Sequence, residues 1–163
     1  MSRVQLALNV DNLDEAVKFY SKLFNTQPAK LKHGYANFAI ADPALKLVLL
    51  ENPGKGGTIN HLGVEVKSSD TVHTEIARLA GEGMFTEEEI GTTCCFATQD
   101  KVWVTGPAGE KWEIYTVLAD AETFGTSPEL LAADLSGGCS CTECDSPSEG
   151  SGENPSDTAA SCC

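Results

Sequence analysis

Several features that would assign this chain to other classes of protein are missing from it. Its 163 residues contain no apolar run of about 18 residues or more, so no membrane-spanning helix is expected. The N-terminal segment MSRVQLALNV lacks the apolar stretch and cleavage site of a secretory signal, and we therefore expect a cytoplasmic protein. No basic stripe is present, and the 11 Lys and Arg residues are outnumbered by 24 Asp and Glu residues. A nucleic-acid partner is therefore not expected.

Cysteine is absent from the first 93 residues, although the chain contains seven. A small secreted domain held by disulfides would distribute cysteines through its core, so that class is excluded. Two cysteines are adjacent, Cys94 and Cys95, and five lie near the C-terminus: Cys139, Cys141, Cys144, Cys162 and Cys163. The C-terminal spacing suits zinc or a heavier metal, but a second ligand pair with apolar support is lacking, so we assign these five no role.

Charge is unevenly distributed along the chain. The net charge is −13, and from Asp120 onward there are nine acidic residues and no Lys or Arg. Residues 1–119 therefore carry a net charge of only −4. Residues 136–163 are rich in Ser, Gly, Pro, Asp and Glu, a composition that buries too little apolar surface to offset the entropy of ordering. The sequence predicts a disordered, acidic tail over residues 125–163.

Two short segments repeat each other. VQLALNV, residues 4–10, aligns with NHLGVEV, residues 60–66, at a constant offset of 56 residues. The alternation of apolar residues in both is typical of strands, and the alignment places Gln5 on His61. Matched strands with metal-capable side chains at the same position indicate a duplicated fold built around a metal.

Similar elements follow each repeat. Asn12 is placed to cap a helix whose apolar positions extend from Leu13 to Phe24 and which Gln27-Pro28 ends, and Glu15 completes a capping-box pattern. Strands are then expected near residues 29–33, 35–41 and 45–51; in the second half a helix at about 69–81 precedes strands near residues 84–89, 93–98, 101–105 and 111–117. The sequence thus predicts an α+β fold of paired βαβββ modules, residues 1–53 and 54–124, whose curved sheet surrounds a cup.

Three side chains are predicted to meet in that cup. Gln5, His61 and Glu113 would supply an amide oxygen, an imidazole nitrogen and a carboxylate. Three ligands on one side of an ion leave open positions, as in nonhaem iron(II) sites that bind substrate and oxygen together. The same ligands also bind nickel, cobalt or zinc, so they do not fix the metal.

Other interpretations of these residues remain open. His61 could be a hydrogen-bonded core residue, and Glu113 could be the solvent-facing member of an alternating strand. If Pro107 is aligned with Pro43, Glu113 falls on Leu49. The first module would then hold an apolar residue where the second holds its carboxylate, which favours an open site with three protein ligands.

The adjacent cysteines raise a question of backbone geometry. Neighbouring side chains of a strand point to opposite faces, so Cys94 and Cys95 can line one pocket only if the chain turns there. The polar segments 91–93 and 98–100 on either side allow a turn. Two thiolates on a turn would suit trivalent arsenic or cadmium, whereas the alternative is one core and one exposed cysteine.

The segments YANFAIADP, LKLVLLENP, NHLGVEV and GTTCCFATQDKVWVTGP, together with the paired modules, resemble a known family. They are similar to the carbon–arsenic lyases and related cadmium-inducible proteins of the vicinal oxygen chelate superfamily, which includes glyoxalase I and the extradiol dioxygenases. The resemblance covers about residues 1–125, and the double-cysteine segment is its most specific motif.

This resemblance implies an Fe(II)- and O2-dependent enzyme that cleaves the carbon–arsenic bond of trivalent organoarsenicals. Its substrates would be methylarsenite and trivalent aromatic arsenicals, and its inorganic product arsenite. Gln5, His61 and Glu113 would be the iron ligands, with Cys94 and Cys95 as the catalytic thiolates that bind arsenic. The extradiol dioxygenases have a His where this chain has Gln5, so catechol chemistry is disfavoured.

Two other functions remain as alternatives. The first is a non-enzymatic resistance protein that binds cadmium or another heavy metal, which the seven cysteines favour. The second is another enzyme of the superfamily, such as an isomerase or a ring-cleaving dioxygenase, which would need no adjacent thiols. Alkyl or aryl preference is not determined by the sequence, nor is whether the cup forms within one chain or between two in a homodimer.

Overall fold

A computed structural model describes residues 2–125 of the chain. In chain order, its elements are β1 (Arg3–Val10), α1 (Leu13–Leu23), β2 (Lys30–Lys32), β3 (Tyr35–Ile40), β4 (Leu45–Glu51), β5 (Ile59–Glu65), α2 (Ser69–Gly81), β6 (Glu87–Cys94), β7 (Ala97–Thr105) and β8 (Lys111–Asp120). The tail predicted to be disordered lies, beyond its first residue, outside the described residues, as do its five cysteines. Within residues 2–125 neither helix is long and apolar enough to cross a membrane.

All eight strands form one sheet, in the order β2-β3-β4-β1-β5-β8-β7-β6. β1 pairs in parallel with β4, and β5 pairs in parallel with β8. The antiparallel pairing of β1 with β5 joins the two sets of four strands at the centre of the sheet. Each set is a βαβββ unit with the same internal pairing, which confirms the predicted fold of paired modules.

The register of the central strands confirms the sequence repeat. Leu6 pairs with Leu62, and Gln5 pairs with Gly63. A twofold relation through the Leu6–Leu62 pair therefore equates each residue of β1 with the residue 56 positions later, as the sequence repeat requires.

The same register shows which residue of the first module corresponds to Glu113. Ala7 pairs with Val48 in β4, and Gly63 pairs with Glu113 in β8. The equivalent of Glu113 is therefore Val48, and the predicted equivalence with Leu49 is wrong by one residue. An offset taken through the prolines of two turns does not respect strand parity, because the turns differ in length. The residue at the matching position is still apolar.

Alternation along the strands separates an apolar face from a polar one. On one face, α1 covers a core of Phe38, Leu47 and Leu49, which are 0–1% exposed. α2 covers a second apolar cluster that includes Val102. Burying a side chain of this size contributes about 1.5–3 kcal/mol, so these clusters fix both helices on the same side as the apolar strand residues. The opposite face carries the polar side chains of the cup.

Each helix begins where the sequence provides a capping side chain. The Asn12 side chain accepts a hydrogen bond of 2.9 Å from the Glu15 amide, as the capping pattern predicts. Ser68 caps α2 in the same way through the Thr71 amide. Replacing such a cap by alanine typically costs about 1 kcal/mol.

One predicted strand is a turn. The segment near residues 93–98 is the connection between β6 and β7, which are longer than expected. Cys94 pairs with Ala97, and the two residues between them, Cys95 and Phe96, have φ angles of 56° and 61°. Two positive φ angles in a two-residue hairpin are the pattern of a type I′ turn, which normally selects Asn or Gly. The apolar and β-favouring composition of this segment concealed the turn.

The sheet curls until β2 approaches the end of β8 and the β6–β7 turn. The Lys30 ammonium forms an ion pair with Asp120 at the end of β8 and donates a 3.0 Å hydrogen bond to the Phe96 carbonyl. The chain beyond β8 continues this contact: the Phe96 amide donates to the Phe124 carbonyl at 3.2 Å, and the two rings lie 5.5 Å apart. These contacts connect the β6–β7 turn to the opposite wall of the cup.

We predict that residues 121–125 stabilise this closure. A chain that ends after Asp120 loses the Phe124 ring and two backbone hydrogen bonds to Phe96, which together correspond to about 2–4 kcal/mol of unfolding free energy. A chain that ends after Gly125 keeps these contacts and serves as the control. Urea unfolding of both truncations measures the difference, and equal stabilities would show that the segment does not close the cup.

Candidate metal and thiol site

Three neighbouring strands bring the predicted metal ligands together. Gln5 is on β1, His61 on β5 and Glu113 on β8, and each side chain is 3% exposed. Gln5 Nε2 lies 3.0 Å from His61 Nε2 and 2.6 Å from Glu113 Oε1. The distance between His61 Nε2 and Glu113 Oε1 is 3.4 Å. The three polar groups therefore form a compact triangle in the buried part of the cup.

The imidazole of His61 is oriented by its neighbours. His61 Nδ1 lies 2.7 Å from Asn60 Oδ1, which only accepts, so Nδ1 carries the proton and Nε2 keeps a lone pair directed into the cup. Asn60 is in turn fixed by its amide nitrogen, which donates to Asn9 Oδ1 at 3.0 Å. A metal-binding histidine is commonly held by such a second hydrogen bond.

The amide of Gln5 points its nitrogen into the triangle, and its oxygen can take that place only when a cation separates it from the acceptor atoms of His61 and Glu113. Its nitrogen faces His61 and Glu113, while its oxygen accepts a 2.6 Å hydrogen bond from the Tyr115 hydroxyl. Rotating the amide by half a turn directs the oxygen to the triangle and lets the nitrogen donate to Tyr115. That hydroxyl would still accept from Lys46 at 3.0 Å and donate to Glu65 at 3.0 Å. The surroundings thus permit Gln5 to present an oxygen ligand.

The triangle has the dimensions of a metal site. Two ligand atoms about 2.1 Å from one ion and at right angles are roughly 3 Å apart, which compares with the separations of 2.6, 3.0 and 3.4 Å found here. Within residues 2–125, no three His, Cys, Asp or Glu side chains form a group that could hold a metal. The candidate centre consequently depends on Gln5 as its third ligand, and a set of one nitrogen and two oxygens fits a divalent transition metal.

A buried lysine holds Glu113 in its charged form. Lys101 is 1% exposed, and its ammonium donates a 2.9 Å hydrogen bond to Glu113 Oε2, the oxygen that faces away from His61. Burial alone would raise the pKa of Glu113, but the Lys101 ammonium outweighs it and holds the pKa well below its usual range. Burial likewise opposes the charge on Lys101, yet Glu113 raises the pKa of that lysine above its ordinary value. Oε1 therefore remains an available anionic ligand.

Gly63 leaves the space that lets the side chains of Gln5 and Glu113 approach each other. It lies between them in the sheet, and a Cβ at this position would be 3.0 Å from Glu113 Cγ and 3.3 Å from Gln5 Cβ. Contacts this short would push both side chains away from the triangle. The close approach of two ligands therefore depends on a residue without a side chain.

The adjacent cysteines lie on the same cavity as the triangle. The cavity has a volume of 270 Å³, and its wall includes Cys94 and Cys95 as well as Gln5, His61 and Glu113. The turn at Cys95 brings the two sulfur atoms within 3.1 Å of each other, with Cys94 buried and Cys95 partly buried. The neighbouring Cys94 thiol and burial raise the pKa of Cys95 well above its ordinary value, so that thiol keeps its proton at neutral pH. The five predicted site residues thus line one cavity.

Several residues of this site were not predicted from the sequence. They orient or separate the predicted ones, and they are Asn60, Gly63, Gln99, Lys101 and Tyr115. Lys101 and Tyr115 do carry a signal, since each is a polar residue at an inward position of an alternating strand. The partner that each contacts depends on strand register, which the sequence leaves open.

Fold and site together define an enzyme-like cup of paired βαβββ units with a candidate metal centre. The sequence profile of the Glyoxalase/Bleomycin resistance protein/Dioxygenase superfamily matches residues 3–114, and the chain belongs to this superfamily. The cadmium-induced protein CadI of Mycobacterium tuberculosis is 78% identical over 128 residues, 78% of this chain and 84% of that protein. The trivalent organoarsenical cleaving enzyme of Thermomonospora curvata is 52% identical over 164 residues and is covered in full, as is this chain. The resemblance inferred from the sequence is confirmed.

Solved structures show the same fold at low identity. The 2,3-dioxygenase LapB from Pseudomonas sp. KL28 superposes with a TM-score of 0.56 at 20% identity over 73% of this chain and 42% of that one. The Mn(II)-bound glyoxalase from Novosphingobium aromaticivorans gives a TM-score of 0.55 at 16% identity, over 78% of this chain and 44% of that one. This chain spans less than half of either protein, and identities this low establish the fold alone.

We predict that Gly63→Ala weakens metal binding. The added methyl group overlaps Glu113 and Gln5, which should lower stability by about 1–3 kcal/mol and reduce affinity for the metal about tenfold or more. Anaerobic Fe(II) titration and thermal unfolding measure the two effects. Gly81→Ala, where a new Cβ meets nothing within 4 Å, is the matched control. Unchanged metal affinity in Gly63→Ala would count against Gln5 and Glu113 as a ligand pair.

Proposed function

We propose that this chain cleaves the carbon–arsenic bond of trivalent organoarsenicals and releases arsenite, using Fe(II) and O2. The observation that carries the proposal is the pair of sulfur atoms, 3.1 Å apart, on the same 270 Å³ cavity as the Gln5–His61–Glu113 triangle. Two relatives that align over the whole chain, from Thermomonospora curvata at 52% identity and from Bacillus sp. at 35%, are named trivalent organoarsenical cleaving enzymes. With a soft-ligand pair and a hard-ligand centre on its wall, one cavity would hold both the arsenic atom and the metal.

Cys94 and Cys95 bind the arsenic atom in this proposal. Trivalent arsenic in methylarsenite carries one methyl group and two hydroxyl groups. Each thiol forms a sulfur–arsenic bond as one hydroxyl group leaves with the thiol proton as water, so two thiols displace two water molecules. The raised pKa of Cys95 suits this exchange, because the thiol brings the proton that the departing hydroxyl group requires. The organic group becomes the one remaining substituent on arsenic.

Gln5, His61 and Glu113 hold the metal. Fe(II) bound by these ligands would supply redox chemistry with O2 at the carbon–arsenic bond. Lys101 keeps Glu113 ionised, and Asn60 keeps the lone pair of His61 directed into the cup. The chain thereby presents a negatively charged carboxylate and an oriented imidazole nitrogen as ligands.

The closed cup contributes by positioning. Holding two reactants in one oriented arrangement can contribute roughly 7–11 kcal/mol to lowering a barrier. The cavity lining includes the small or apolar side chains of Ala97, Val48 and Val117, which can contact an organic group, as well as the polar triangle. Its volume of 270 Å³ suits a substrate with one small organic substituent.

A second candidate is a protein that sequesters cadmium or another thiophilic metal without turnover. It is favoured by the relatives at 78% identity, which are named for their induction by cadmium. Cadmium could be held by the same two thiols, which would need no O2. Oxygen dependence therefore separates the two functions.

The proposed reaction is tested by an oxygen-controlled assay. Protein reconstituted anaerobically with Fe(II) is mixed with methylarsenite, with and without air, and arsenite is measured by chromatography coupled to elemental detection. We expect arsenite only in the aerated sample that contains both protein and iron. Tight cadmium binding with no arsenite in any sample would favour sequestration instead.

Substitutions should separate the thiols from the metal ligands. Cys94→Ser and Cys95→Ser should each lower methylarsenite affinity by about 100-fold or more while iron content stays unchanged, since neither thiol belongs to the triangle. Glu113→Gln should lose iron but keep arsenical binding. It should also lower stability by about 3–5 kcal/mol, because Lys101 would remain as a buried, unpaired charge.

Matched controls come from the same chain. Glu88→Gln removes an exposed carboxylate from β6, and Cys139→Ser removes a thiol outside the described residues; both should retain iron and arsenical binding. Iron content and arsenical affinity are measured on every variant. If the serine variants lose iron, or if Glu113→Gln retains it, the division of roles is wrong.

A further inference from the structure

The hydroxyl group of Tyr115 lies between two acceptors that it cannot both serve. It is 2.6 Å from Gln5 Oε1 and 3.0 Å from Glu65 Oε2, while Lys46 Nζ donates to it at 3.0 Å. A phenol oxygen carries one hydrogen and two lone pairs. Burial would raise the pKa of Glu65, but the Lys46 and Arg3 charges lower it below its usual value, so this carboxylate only accepts. One of the two acceptors therefore receives no hydrogen from Tyr115.

The orientation of the Gln5 amide decides which acceptor that is. With the amide nitrogen in the triangle, its two hydrogens point to His61 Nε2 at 3.0 Å and Glu113 Oε1 at 2.6 Å. The amide oxygen then faces the Tyr115 hydroxyl. Two oxygen atoms 2.6 Å apart repel each other unless a hydrogen lies between them, so Tyr115 must donate to Gln5. In this orientation Glu65 receives no hydrogen from Tyr115.

The opposite orientation gives the Tyr115 hydroxyl a complete set of partners. With the Gln5 oxygen in the triangle, the amide nitrogen faces the hydroxyl group and donates to one of its lone pairs. Lys46 donates to the other lone pair, so the single hydrogen of Tyr115 is left for Glu65 Oε2. A hydrogen bond to a charged carboxylate is stronger than one to a neutral amide oxygen. Tyr115 therefore favours the orientation in which Gln5 offers its oxygen to the triangle.

Strand register fixes these neighbours. Tyr115 pairs with Glu65 between β8 and β5, and Gln5 pairs with Lys46 between β1 and β4. Tyr115 follows Glu113 by two residues on β8, and residues two apart on a strand share a face, so both belong to the polar face of the sheet. Tyr115 is 0% exposed, and solvent therefore does not replace either acceptor.

We propose that Tyr115 is a positioning residue for the metal centre. Its hydroxyl group accepts from the Gln5 nitrogen and donates to Glu65, which holds the Gln5 oxygen toward the metal. This rests on the proposed function, since it takes Gln5, His61 and Glu113 as the metal ligands. With a cation between them, the atoms of His61 and Glu113 no longer need the amide hydrogens, and Tyr115 supplies the partner for the rotated nitrogen. Metal binding is thereby coupled to the rotation of one amide.

The first test measures metal affinity in a double-mutant cycle on reduced, full-length protein. Mn(II) serves as the metal, because it is a hard ion that prefers oxygen ligands to thiols, and electron paramagnetic resonance reads its unbound concentration. Tyr115→Phe should weaken Mn(II) binding about three- to tenfold, the equivalent of one hydrogen bond. In a Glu65→Met background the same change should not weaken binding, because nothing then draws the Tyr115 hydrogen away from Gln5. A merely structural hydroxyl group would give the same loss in both backgrounds.

A second comparison does not require Tyr115→Phe to fold. Glu65→Gln and Glu65→Met both remove the carboxylate charge, but only glutamine keeps an acceptor oxygen for the Tyr115 hydrogen. Mn(II) affinity should therefore be about threefold lower, or more, in Glu65→Met than in Glu65→Gln. Tyr20→Phe is the matched control, because Tyr20 is on α1 and packs against the core on the other face of the sheet. It should bind Mn(II) as the wild type does.

The outcomes separate this inference from the proposed function. Equal Mn(II) affinity of the wild type and Tyr115→Phe, or the same loss with and without Glu65, would overturn the positioning role and leave the proposed function standing. Equal affinities of Glu65→Gln and Glu65→Met would overturn it in the same way. If the wild type bound neither Mn(II) nor Fe(II), the metal centre of the proposed function would fail, and this inference with it.

Discussion

The antiparallel pairing of β1 with β5 about Leu6 and Leu62 determines where the candidate metal ligands lie. It places Gln5 beside Gly63, and the parallel pairing of β5 with β8 places Gly63 beside Glu113. A shift of one residue in either pairing would send one of these side chains to the apolar face, beneath a helix. The register is held because Leu6 and Leu8 are packed against the core that α1 covers. Packing on the helical face thus fixes the chemistry on the other.

Charge in the cup is arranged in partnered groups. Glu113 is paired with Lys101, and Glu65 lies near both Lys46 and Arg3, with oxygen–nitrogen distances of 2.9, 3.5 and 3.0 Å. A buried ion pair gives little net stability, because desolvation offsets most of the attraction. Its value here is geometric: the carboxylate of Glu113 stays ionised and points one oxygen at His61. Tyr115 connects the two sets through Gln5 and Glu65. The buried Glu113–Lys101 pair thus contributes mainly by orienting the Glu113 carboxylate, although its desolvation is unfavourable.

The cysteine turn depends on contacts made far away in the sequence. Positive φ angles at Cys95 and Phe96 are unfavourable for residues with side chains and cost about 1–3 kcal/mol each. Tyr35 and Phe124 pack against the Phe96 ring at 5.5 Å each, and Lys30 binds the Phe96 carbonyl. These contacts come from β2, β3 and the segment after β8, which meet only because the sheet curls. The same curl that encloses the cavity therefore holds its two sulfur atoms together.

Local sequence patterns were sufficient to predict the paired modules and the candidate ligands of this protein. The repeat at an offset of 56 residues identified Gln5 with His61, and alternation and capping gave the paired modules, because both signals arise within a single strand or helix. Adjacent cysteines and the resemblance of the segments around them indicated arsenic chemistry. Only the tertiary structure showed that Val48, and not Leu49, matches Glu113, and that residues 93–98 turn instead of continuing as a strand. Only the tertiary structure identified Lys101, Gly63 and Gln99 as residues of the site. Their partners depend on register and curl, which come from packing between segments distant in the chain.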